Sequence, residues 1–127
     1  MRRERALQVA LVLVGLFFVA AVYPTVGGVL HSDQSDTGDT MMMGLYATLG
    51  VFLLLAVRNP SAHRSLIAFA AWSSLAHAVV MSLLAIPMAA ERAGFLAGSA
   101  VLVVIGVALI ALAPAKPSRE QASAAAA

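Results

Sequence analysis

The chain has no cysteine, and none of its four long apolar stretches contains an Asp, Glu, Lys or Arg. The first absence excludes disulfides, thiolate metal sites and thiol nucleophiles, and with them a thiol-redox membrane enzyme. The second removes the paired charges that acid/base catalysis and ion relays use inside a membrane. Charge is scarce everywhere: 11% of the 127 residues carry it, against about a quarter in soluble domains. What is present instead is apolar surface. Hydrophobic residues make up 61% of the chain and the mean hydropathy is +0.93, so lipid is the expected solvent for most of the surface. The length is that of one domain, 1–127.

The apolar runs cover about 6–23, 41–57, 66–86 and 93–113. The first, at 18 residues, would cover ~27 Å as a helix, close to the ~30 Å of a hydrocarbon core. Each run therefore reads as a membrane span. A cleaved signal peptide also shows a basic start and an apolar run, here with Ala20 and Ala21 near its end. The run is longer than a signal core, and its removal would leave an odd number of spans, so spanning is the reading adopted. Tyr23 then anchors at the interface and Pro24 is expected to end the helix. Residues 25–40 read as an external loop, with Asp39 or Thr40 capping the second span. In Arg58-Asn59-Pro60-Ser61-Ala62-His63-Arg64 the Asn-Pro pair predicts a tight turn and a helix start, making spans two and three an antiparallel hairpin. Pro87 closes span three, and the tail at 114–127 is alanine-rich, expected to be frayed or a short helical extension.

Arg2, Arg3, Arg5, Arg58, Arg64, Lys116 and Arg119 lie at the two termini and in the middle loop, whereas the other two loops hold Arg92 alone. Those same two loops hold Asp33, Asp36, Asp39 and Glu91. Lys and Arg in short loops stay in the cytoplasm. The predicted fold is thus all-α: a four-transmembrane-helix bundle, antiparallel up-down-up-down, both termini cytoplasmic. A pI near 9.7 does not point to nucleic acid, because the cations are scattered in short segments whose simplest partner is the anionic head group of the lipid bilayer.

Lipid-exposed helices gain nothing by hydrophobic association, so small residues mark where they meet. Ala70, Ser74, Ala78 and Ser82 recur every four residues on span three; Gly94, Gly98 and Gly106 line nearly one face of span four. These stripes predict helix packing, within the chain or against a second copy.

Three clusters are candidates for chemistry. His77 is the only titratable side chain with a near-neutral range inside a span, ~16 Å along the helix from Leu66. Aligning the hairpin at Val57 and Leu66 brings Tyr46 to the same depth, with Ser73 and Ser74 one turn below and Trp72 nearby. The plain reading is a neutral imidazole hydrogen-bonded to a Tyr or Ser across the hairpin; the functional one is a pocket of Tyr46, Trp72, Ser73, Ser74 and His77. His31, Asp33, Asp36 and Asp39 offer one imidazole and three carboxylates to a metal, but their spacing is not that of an EF-hand, and a solvated acidic loop accounts for them. Met41, Met42 and Met43 are consecutive, so their thioethers point in different directions and do not make one soft-metal site.

The string Met43-Gly44-Leu45-Tyr46-Ala47-Thr48-Leu49-Gly50, Arg58-Asn59-Pro60, His63-Arg64-Ser65-Leu66-Ile67 and Ala71-Trp72-Ser73-Ser74-Leu75-Ala76-His77 resembles a family of small uncharacterised four-helix bacterial membrane proteins. The general layout is similar to that of DoxX-like four-span proteins. The resemblance implies a bacterial inner-membrane protein and carries no catalytic residue with it.

The function these features predict is that of a non-enzymatic integral membrane protein, an accessory subunit of a membrane complex or a small homo-oligomer, with no cofactor. The alternative is a binding protein or enzyme for a lipid-soluble ligand, a quinone or isoprenoid, near His77. A small channel or proton-linked transporter is a third reading, weakened by the lack of intramembrane acids.

Overall fold

A computed structural model describes residues 2–33 and 36–114. Five α-helices follow one another: α1 Arg2–Val19, α2 Val22–Leu30, α3 Thr37–Ala56, α4 Arg64–Leu84 and α5 Arg92–Leu112, with a 3₁₀ turn at Pro60–His63 before α4. Taken together, α1 and α2 form one apolar segment, Arg2–Leu30. Four segments are therefore long and apolar enough to cross a membrane. The tail after Pro114 lies outside the described residues.

Pro24 does not end the first span. It sits inside the first turn of α2, and the break comes one turn earlier, at Ala20 and Ala21. The physical reason is that a proline has no N–H for the carbonyl four residues back, and its ring crowds that carbonyl. Here that carbonyl belongs to Ala20, and it accepts from the Tyr23 N–H at 3.2 Å instead. One turn of tighter hydrogen bonding redirects the helix, and the chain continues helical to Leu30. Most of the segment expected as loop from residue 25 is thus helix. The connection that remains ends at Asp36, whose carboxylate accepts from the Asp39 N–H at 3.1 Å and caps α3. The cap therefore falls three residues before Asp39, lengthening α3 at its start. At the other turn, Asn59 makes no side-chain cap, and Pro60 opens the 3₁₀ turn rather than α4 itself.

The helices pack as two close pairs. α1 lies along α3, and α4 lies along α5; α2 leans on α3, α1 also touches α5, and α3 meets α4 at few points. The expected hairpin of spans two and three is therefore adjacent in chain order but not the closest packing. Between α1 and α3 the backbones nearly touch: a methyl group at Gly50 would lie 2.7 Å from both the Gly15 carbonyl oxygen and the Val19 nitrogen. Between α4 and α5, a methyl at Gly106 would meet Leu75 at 2.7 Å and the Ala71 carbonyl oxygen at 2.9 Å. Leu7, Leu11, Val14 and Phe18 of α1 share one core with Leu53, Ala56, Ile67, Ala70, Ala71, Ala78, Leu102, Ile105 and Leu109.

Polar contacts tie the pairs together. Ser99 donates to the Ala78 carbonyl at 2.8 Å, and its hydroxyl lies 3.0 Å from that of Ser82, which itself reaches the same carbonyl at 2.8 Å. Each hydroxyl has one proton. One of the two therefore bonds the carbonyl while the other donates to its partner oxygen, and the three groups form a closed polar knot between α4 and α5. Arg3 donates to the carbonyls of Ala111 and Ala113, at 3.3 and 2.9 Å. Arg64 donates to that of Pro114 at 3.1 Å, and Gln8 to that of Val57 at 3.2 Å. These contacts gather the start of α1, the end of α3, the start of α4 and the end of α5 at one end of the bundle. At the opposite end Arg92 folds back on the Ala85 and Ile86 carbonyls, both at 2.9 Å.

Two substitutions test the packing. Gly50→Leu overpacks the α1–α3 crossing and should cost about 1–3 kcal/mol in detergent unfolding, whereas Gly94→Leu enters open space and should stay within about 0.5 kcal/mol of the parent. Equal losses would contradict the crossing. Ser99→Ala should lower stability by about 0.6 kcal/mol, and by at most about 2, the range for an interhelical hydrogen bond in lipid; an unchanged unfolding midpoint would show that the polar knot contributes nothing.

Candidate functional site

The geometry brings Tyr46 and His77 together. Their ring centroids are 5.4 Å apart with the planes at 81°, edge to face. Behind Tyr46 stands Phe18 of α1, at 4.9 Å and 68°, so three rings from α1, α3 and α4 form one aromatic column across the interior. Each arrives there for a local reason. Phe18 ends the spacing Leu7, Leu11, Val14, Phe18 that defines the buried face of α1. Tyr46 lies one residue before the buried Ala47 and four before Gly50, at the crossing with α1. His77 neighbours Ala78, on the face of α4 that buries Ala70, Ser74 and Ala78. Such edge-to-face pairs are worth about 0.5–1.5 kcal/mol beyond the area they bury.

Of the other expected pocket residues, Ser73 and Ser74 stand one turn before His77 on its face of α4, and Trp72 does not. Trp72 is 63% exposed, and the step of five positions from it to His77 turns it well away around the helix. Ser74 is fully buried, and its hydroxyl donates back to the Ala70 carbonyl at 2.7 Å; Ser73 does the same at 3.3 Å. Both serines are thus committed to their own helix, the usual recourse of a hydroxyl in a helix interior. The hydrogen-bonded tie expected between His77 and a Tyr or Ser is not what joins the helices. The contact is ring against ring, and among the described residues neither the Tyr46 hydroxyl nor the His77 imidazole makes a hydrogen bond. Both side chains are half-buried. His77 lies seven residues before the end of α4, about 10 Å from that end.

Of the loop donors, His31, Asp36 and Asp39 line one open recess beside Gly27, Gly28 and Thr40. His31 places Nδ1 3.1 Å from the Gly27 carbonyl of its own helix, while Asp36 is engaged as the α3 cap. Among the described residues no three His, Asp or Glu side chains converge as a metal site, so His31, Asp33, Asp36 and Asp39 carry the charge of this end without a shared centre. Of the small-residue positions, Ala70, Ser74, Ala78 and Gly106 are buried, Ser82 joins the polar knot, and a methyl at Gly98 would meet the flexible end of Met81 at 2.7 Å. Gly94 is the exception: nothing lies near it, so the α4–α5 contact begins one turn further on.

Sequence reasoning missed Phe18, Gly15, Gly50 and Ser99. Ser99 had a signal, since it is the only hydrogen-bonding side chain between residues 93 and 113, and lipid gives such a group a strong reason to face a neighbour. Gly15 and Gly50 had less, each being an isolated glycine in an apolar run.

A family model matches the chain over residues 3–125. No curated protein and no solved structure matches it. A match running over nearly the whole length settles the relationship: the chain belongs to DUF6632, a family of unknown function.

Proposed function

We propose that this is a four-pass protein of the bacterial inner membrane, with both termini in the cytoplasm. We read its role as non-enzymatic: a packing partner, either an accessory subunit or a small homo-oligomer. The observation that carries the orientation is the sorting of charge between the two ends. Arg3 and Arg64 sit at one end, bonded to the last carbonyls around the end of α5, and Arg2, Arg5 and Arg58 lie within a few residues of that same end. Asp33, Asp36, Asp39 and Glu91 lie at the other. Basic residues in short loops are retained in the cytoplasm during insertion, so the arginine-bearing end is assigned inside.

The packing role is supported by the outer face of α4. It presents Phe69, Trp72, Val79, Val80 and Leu83 to the surroundings, a broad apolar strip that suits either acyl chains or a neighbouring helix.

Because the chain has no native cysteine, one introduced thiol reports one position. Ser61→Cys should resist a membrane-impermeant maleimide in spheroplasts and react in inverted vesicles; Asp33→Cys should behave in the opposite way. A reversed pattern would overturn the orientation. Purification in mild detergent should retain a second copy or another membrane protein, seen by native mass spectrometry, and a chain that always flies alone would contradict the packing role.

A further inference from the structure

The Tyr46–His77 pair has a physical problem that the fold alone does not solve. In the hydrocarbon region there is no water to satisfy a polar group, and each one left without a partner costs several kcal/mol. The hydroxyls of the spans solve this within the chain: Ser73, Ser74, Ser82, Ser99 and Thr48 all bond to carbonyls or to each other. Trp72, whose indole N–H has no such partner, is exposed on the outer face of α4. Tyr46 and His77 differ from both: two half-buried hydrogen-bonding side chains touching ring to ring, with no hydrogen bond from either among the described residues. They stand between α3 and α4, the neighbouring spans that pack least closely.

We infer that Tyr46 and His77 form the recognition site for a lipid-soluble quinone, which enters between α3 and α4 from the bilayer. The chemistry of the pair selects this class. A tyrosine hydroxyl and an imidazole N–H are donors that need acceptors, and a quinone brings carbonyl acceptors on a molecule that partitions into lipid. The Phe18–Tyr46–His77 column supplies aromatic edges and faces for a flat ring, with centroid spacings of 4.9 and 5.4 Å already in the range of such contacts. An isoprenoid or acyl chain has no ring to match and no carbonyl at that depth. Asp39 lies seven residues before Tyr46, on the same face of α3. The charged group nearest Tyr46 along that face thus lies about two turns away, toward the loop end of α3. The inference depends on the membrane reading given above, which the thiol-labelling experiment tests separately.

The test uses the whole protein, with ¹⁵N-labelled histidine, in phosphatidylcholine nanodiscs titrated with decylubiquinone. The chain has three histidines; His31 and His63 lie in the connections outside the spans and serve as internal references. The His77 ring nitrogens should shift saturably while the other two stay fixed, and decylbenzene, which has the tail and a ring but no carbonyl, should give no shift. Tyr46→Phe removes one donor and keeps the ring, and should weaken the apparent Kd at least tenfold with the His31 and His63 signals unmoved, which also reports an intact fold. Three results would overturn the inference. One is a His77 signal that does not respond in the parent protein. Another is a response that is linear in quinone and equal in Tyr46→Phe, which marks simple partitioning. The last is a His77 signal that changes on diluting protein in lipid without quinone, which would identify a second copy as the partner.

Discussion

Close approach of backbones at glycine is the interaction on which this bundle depends. In water, apolar helices associate because association removes apolar surface from solvent; in lipid that gain disappears, and van der Waals contact plus a few hydrogen bonds must hold the helices together. The α1–α3 crossing meets this requirement with two glycines face to face, so that the Gly15 carbonyl lies where a Gly50 side chain would begin. The α4–α5 pair meets it with Gly106 against Ala71 and Leu75, and adds the serine knot one to two turns away. With each pair closed in this way, the looser α3–α4 contact can be left to side chains, and it is there that the Tyr46 and His77 rings meet.

The helix ends follow a second requirement, which also links the sequence to its orientation. The last carbonyls of a helix have no intrahelical donor, and near a membrane they need one from a side chain or from interfacial water. Arg3 and Arg64 supply donors around the end of α5, and Arg92 supplies them at the end of α4. A cation there is also favoured by the helix dipole. In the orientation proposed above, the arginines that hold the helix ends are also those that would bias insertion. Arg92, at the acidic end, has its guanidinium turned inward onto the chain's own backbone.

What could be read from the sequence and what could not divide along physical lines. The four apolar segments were legible because span length and the absence of charge are properties of local composition. The start of α3 was misplaced because Asp36, Asp39 and Thr40 are all competent caps, and only the three-dimensional structure chooses among them. α2 is not legible because Pro24 reads as a stop; a proline in the first turn of a helix is tolerated, and the break moves back to the carbonyl it cannot bond. Which helices pair was hidden for a different reason. When nearly every residue is apolar, a buried leucine and a lipid-facing one look alike, and Leu11 cannot be told from Leu13. At the candidate site, simple depth alignment set Tyr46 opposite His77, where the rings stand. Ser73 and Ser74 do stand one turn before His77 on its face of α4, but the pull of the Ala70 carbonyl on both hydroxyls is not legible. Trp72 is near in depth alone, since rotation about the helix carries it away.

Disulfide trapping at the serine knot is the most direct test of the two-pair architecture. The hydroxyls of Ser82 and Ser99 are 3.0 Å apart, and no native thiol competes. In native membranes, the Ser82→Cys/Ser99→Cys chain should oxidise rapidly to an intramolecular disulfide. It should run as a compact monomer on a non-reducing gel, and each single variant should show no such band. Two thiols that stay reduced under oxidant, or that form only dimers between chains, would contradict the α4–α5 pairing and the bundle built on it.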